Sequence, residues 1–61
     1  MKVLRLRAVV TATGLARSTI YKLIGSGEFP RPVPLTVRCV GWIESEVAAW
    51  IQSRVEERGR A

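Results

Sequence analysis

Side chains able to carry out chemistry are few in this 61-residue chain. It contains no histidine, aspartate or asparagine, and a single cysteine, Cys39. General acid–base schemes, catalytic triads and soft-ligand metal sites therefore lack their parts. Glu44 and Glu46 stand two apart, on different sides of any helix, and read as a solvated helix start rather than a carboxylate pair. No glycine loop of the phosphate-cradling kind is present. The chain is expected to be non-enzymatic and to need no cofactor. A lone cysteine closes no intramolecular disulfide, which fits a reducing cytoplasm.

What remains is a constellation of cations and hydroxyls. Residues 1–42 hold seven basic side chains, Lys2, Arg5, Arg7, Arg17, Lys22, Arg31 and Arg38, against one acid, Glu28. The remainder holds Arg54, Arg58 and Arg60 against Glu44, Glu46, Glu56 and Glu57. The net charge of +5 thus sits at one end of the chain. Such an end suits a polyanion, because neutralising phosphates releases condensed counterions. Within it, Thr13-Gly14-Leu15-Ala16-Arg17-Ser18-Thr19-Ile20-Tyr21-Lys22-Leu23-Ile24 reads as a helix end, a tight turn and a short helix with a basic, hydroxylated outer face. A helix-turn-helix needs this order: the turn packs two helices steeply, and the second exposes side chains that reach base edges and phosphates.

The elements that must position these groups follow from periodicity and breakers. The apolar share is 48% and the charged share 25%, a globular composition in a chain near the lower size limit for a self-sufficient core. One domain over 1–61 is expected. Val3, Leu4 and Leu6 make an extended lead-in or a single strand. Leu6, Val9, Val10 and Thr13 recur on one helical face, predicting a helix over about Arg7–Thr13 that Gly14 ends. A second helix over about Arg17–Ile24 buries Ile20, Leu23 and Ile24, with Leu15 between the two helices. Gly25 and Gly27 stop it, and Pro30, Pro32 and Pro34 hold an extended path. A hairpin is expected next: Val33–Thr36, a turn near Val37 and Arg38, and a return over Cys39–Trp42. Thr36-Val37 is poor turn chemistry. The last helix, about Glu44–Glu57, carries a stripe of Val47, Trp50, Ile51 and Val55, followed by a frayed tail at 58–61. No run approaches the roughly 18 apolar residues that cross a bilayer, and Lys2, Arg5 and Arg7 interrupt any signal-peptide core, so a soluble, unprocessed chain is expected.

Three blocks then become recognisable in order: Gly14 to Ile24; Gly27-Glu28-Phe29-Pro30-Arg31-Pro32-Val33; and Arg38-Cys39-Val40-Gly41-Trp42-Ile43-Glu44-Ser45-Glu46-Val47 with Trp50-Ile51. Together they closely resemble the AlpA family of prophage regulators, over about Leu6 to Ile51. That family groups with phage excisionases in the MerR-like winged-helix class. The resemblance implies a mainly α winged helix-turn-helix, three helices plus a two-stranded hairpin wing, that binds double-stranded DNA. It further implies either a recombination directionality factor that bends DNA beside an attachment site for an integrase, the leading expectation, or a transcriptional regulator. Two positions depart from the family's pattern: alanine stands at Ala16 where a serine helix cap is usual, and Thr36-Val37 replaces a glycine-rich wing turn.

The resemblance carries Arg17, Ser18, Thr19, Tyr21 and Lys22 over as the recognition helix. The first three sit at the helix N-terminus, where side chains and free backbone N–H groups meet bases or phosphates. Tyr21 either packs at the core edge or reads a base; Lys22 suits a phosphate. Arg38 matches the wing arginine placed at the minor groove, its alternative being a surface arginine paired with a glutamate. Arg31 and Arg7 flank this surface as backbone contacts or as solvated side chains. Trp42 and Trp50 fit the core better than a stacking platform. The partners implied are duplex DNA, an integrase or polymerase, and a further copy of the chain on repeated sites, with no membrane and no small-molecule ligand.

Overall fold

The computed structural model describes residues 1–60. It contains β1 (Val3–Leu4), α1 (Leu6–Thr13), α2 (Arg17–Gly25), β2 (Val33–Pro34), β3 (Val40–Ile43) and α3 (Glu44–Arg60). The strands form one antiparallel sheet of order β1-β3-β2. Val3 pairs with Ile43 and Leu4 with Trp42 on one side of β3, and Val33 pairs with Gly41 and Pro34 with Val40 on the other. The expected two-stranded hairpin is therefore extended by a third strand, β1, on the other edge of β3. Two residues of β1 are too few to show a period, and their partners lie at the far end of the chain.

Helix ends follow local chemistry. Gly14 adopts φ 73° and its N–H bonds Val10 O at 2.8 Å, closing α1. Thr13 Oγ1 donates to Val9 O at 2.8 Å and accepts from Leu15 N at 3.2 Å, which braces the turn. At the end of α2, Glu28 N bonds Leu23 O at 2.8 Å and Gly27 N bonds Ile24 O at 3.1 Å, with Gly27 at φ 79°. This is the double bond pattern of a Schellman stop. Gly27 thus ends the helix, and Gly25 lies inside it. Neither Arg5 nor Ala16, the N-cap residues of α1 and α2, makes a side-chain cap bond.

Val9, Ile20, Phe29, Trp42 and Val47 form the buried core, with Leu4, Leu6, Val10, Leu15, Leu23, Ile24, Trp50 and Ile51 packed around it. The two tryptophans behave as core residues. Trp42 is fully buried, on the central strand and two residues ahead of α3. Its Nε1–H donates to Pro30 O at 3.1 Å, and the Trp50 Nε1–H donates to Glu28 O at 2.6 Å. The Phe29 ring lies edge-on to Trp50 with centroids 4.8 Å apart. The linker after α2 is therefore pinned at both carbonyls that flank a buried phenylalanine.

Two expectations for α3 need correction. The helix continues through Arg60, past the expected end at about Glu57 and into the segment expected as a tail at 58–61, of which Ala61 lies outside the described residues. Val55 is exposed, because the sheet and the α1–α2 pair cover the helix only as far as about Ile51. The hairpin is also shorter than expected. Pro34 lacks an N–H, and Leu35 N and Thr36 N both converge on Cys39 O, at 2.7 and 3.1 Å, so the strands close into the turn.

Two substitutions test this account by chemical denaturation. Ala16→Ser supplies the missing cap to α2 and should stabilise the fold by about 1 kcal/mol. Gly41→Ala should destabilise it by about 1–3 kcal/mol, because the new Cβ would meet Val3 Cγ1 and lie 3.1 Å from both Leu35 Cδ1 and Leu4 O. No loss of stability in the latter would show that β1 does not sit over β3.

Candidate nucleic-acid interface

The helical period divides α2 cleanly. Ile20 is fully buried, and Leu23 and Ile24 pack around the core. Arg17, Ser18, Thr19, Tyr21 and Lys22 consequently fall on the exposed face. The short turn at Gly14, Leu15 and Ala16 sets α2 against α1, with Leu15 packed between them and the core. Because Ala16 offers no capping oxygen, the first N–H groups of α2 have no side-chain acceptor. They remain available, at the positive end of the helix dipole, to an anion from outside.

Tyr21 is 47% exposed, and its ring lies edge-on to Trp42 with centroids 6.5 Å apart at 62°. The structure thus favours the core-edge placement, with the remainder of the ring facing solvent beside Lys22. Arg7 of α1 and Arg17 of α2 line one shallow depression together with Leu6 and Val10. The structure brings those two cations to a single surface. Arg31 is placed differently. It is exposed, but it lines a groove between the proline-rich linker and α3, with Phe29, Glu46, Ala49 and Trp50 among its walls.

Arg38 is exposed in the turn between β2 and β3, where its backbone N–H reaches Thr36 Oγ1 at 3.4 Å. The alternative of a glutamate partner is not met: the ion pair among the described residues is Lys2 with Glu44, at 3.7 Å. Arg7, Arg17, Lys22, Arg31 and Arg38 accordingly hold their charge without an acidic neighbour at ion-pair distance among the described residues. Cys39 is free and half-buried behind the turn. Next to Arg38, Val37 projects with its whole side chain in solvent. Sequence reasoning gave Val37 no role; the signal it offered was a β-branched residue where turns favour glycine or asparagine.

No helix among the described residues is long and apolar enough to cross a membrane. The family model described as Prophage CP4-57 regulatory protein (AlpA) matches residues 2–55. The chain is 49% identical over 57 residues to the uncharacterized protein ORF88 of Enterobacteria phage P4, covering 93% of this chain and 65% of that protein's length. It is 40% identical over 60 residues to the DNA-binding transcriptional activator AlpA of Escherichia coli strain K12, covering 88% of this chain and 86% of that protein. With most of its length inside the matching model and a named relative matched nearly end to end, this chain belongs to the AlpA family of prophage regulatory proteins.

Proposed function

We propose that this protein is a phage or prophage transcriptional regulator that binds duplex DNA in a sequence-specific manner through a winged helix-turn-helix. The observation that carries the reading is the division of α2. Its apolar residues are spent on the core, while Arg17, Ser18, Thr19 and Lys22 face outward, with both cations free of acidic partners among the described residues. In this reading α1, the Gly14–Ala16 turn and α2 are the helix-turn-helix, and α2 enters the major groove. Arg17, Ser18 and Thr19 meet base edges or phosphates at the helix start, and Lys22 and Tyr21 reach the backbone. Arg7, beside Arg17 on the same surface, meets the phosphate backbone, and Arg31 stays at the rim. The β2–β3 hairpin is the wing, with Arg38 at the minor groove. The protein acts in the cytoplasm without catalysis, cofactor or small-molecule ligand, by placing DNA and touching polymerase or a second copy of itself.

The curated relative named for a function is a transcriptional activator, which supports regulation ahead of the excision role expected first. Both roles share one mode of binding, and an excision assay with the cognate integrase, run beside a promoter reporter, separates them. A rise in reporter output without a change in excision supports the regulator.

Footprinting on the DNA beside its gene should protect short repeated sites, and no protection at low salt would overturn the proposal. Lys22→Ala should weaken binding alike on every sequence and lower the salt slope by about 1. Arg17→Ala, with the fold intact by circular dichroism, should cost about 1–3 kcal/mol and relax specificity at a single base position. A uniform loss across all positions would reassign Arg17 to phosphate.

A further inference from the structure

From the shape of the β2–β3 turn we infer that Val37 is an apolar wedge, which enters the minor groove beside Arg38 and opens a base step, so that the wing bends the DNA it grips. The inference rests on the DNA-binding reading above and adds to it a residue and a mechanical effect.

The turn is held without help from Val37. Leu35 N and Thr36 N both donate to Cys39 O, Cys39 N donates to Thr36 O at 3.4 Å, and Arg38 N reaches Thr36 Oγ1. None of these bonds uses the Val37 side chain, which is 101% exposed. No non-glycine residue among the described residues adopts a positive φ, so no residue of the turn occupies the left-handed region. The fold itself therefore gives no reason for a β-branched apolar residue at the apex, where glycine, asparagine or serine would be the local choice. Its neighbours supply one. Arg38 adjoins it and carries an unneutralised charge, which suits the negative potential of a narrow minor groove. Valine is stiff at χ1, so little side-chain entropy is lost on insertion. Val33 in β2, 37% exposed, and Leu35 just after it, 43% exposed, are further exposed apolar residues leading up to the apex. Apolar side chains carried to the minor groove by basic neighbours are the means by which proteins unstack a step and kink the duplex.

The test uses the full chain and a duplex carrying the footprinted repeats, labelled at both ends for energy transfer and containing 2-aminopurine at the step under the wing. The wild type should shorten the end-to-end distance and raise 2-aminopurine emission as the step unstacks. Val37→Ser should abolish both signals while keeping the salt slope, and Val37→Phe should restore them. Arg38→Ala should lower the salt slope by about 1. The turn does not depend on the Val37 side chain, so these variants are expected to fold, and circular dichroism checks that they do. Binding by the wild type without bending, or equal bending by the wild type and Val37→Ser, overturns the wedge and leaves the DNA-binding proposal standing. Failure of the wild type to bind duplex DNA overturns both.

Discussion

Two indole N–H groups hold this small fold in register. Trp42 donates to Pro30 O and Trp50 to Glu28 O, and between those carbonyls Phe29 enters the core beside Val9, Ile20 and Val47. Neither tryptophan pays the full cost of burying an unpaired donor, and the linker, with two prolines unable to donate, has two of its carbonyls satisfied. The clamp joins the end of α2 to the central strand and to α3. The outward angle of α2, and hence everything proposed for Arg17, Ser18, Thr19 and Lys22, depends on it. Arg54 sits over the outer face of Trp50 at 5.7 Å and shields that side of the clamp.

A second constraint is close approach in the sheet. Gly41 lies where Val3, Leu35 and the Leu4 carbonyl converge, so the central strand has no room for a side chain there. This absence lets β1 lie against β3 and ties the chain start to the first turn of α3, where Glu44 N bonds Lys2 O at 2.8 Å. The exposed Lys2–Glu44 ion pair adds little, since surface pairs are worth about 0–1 kcal/mol. The sheet thus serves both as the base of the turn carrying Val37 and Arg38 and as the bridge between the two ends of the chain.

Stability and function pull against one another at the starts of the helices. Neither α1 nor α2 has a side-chain cap, and the core rests on five buried side chains. In so short a chain each missing cap is a noticeable fraction of the total stability. At α2 the omission leaves backbone donors at the surface that also carries Arg17 and Arg7. A bound phosphate would satisfy those donors as a serine hydroxyl does, so binding would add to the stability of the helix.

Much of this was legible from the amino acids alone, because it is decided locally. The α1 stripe, the Gly14 stop, the sidedness of α2 and the acidic start of α3 each follow from periods and breakers within a few residues, and three ordered blocks were enough to suggest the family. Other features belong to the tertiary structure, because distant segments create them. β1 is a strand through partners at Trp42 and Ile43; the two indoles find their acceptors on the linker at Pro30 and Glu28; Val55 is exposed because the packing of α3 against the core reaches only to about Ile51. The site divides in the same way. Composition and spacing alone determined that a basic, hydroxylated helix face would be available. Only the folded chain decided that Arg7 joins Arg17, that Arg31 lines a groove with α3, and that Val37 stands free at the β2–β3 turn, since those outcomes depend on which surfaces the tryptophan clamp and the sheet leave uncovered.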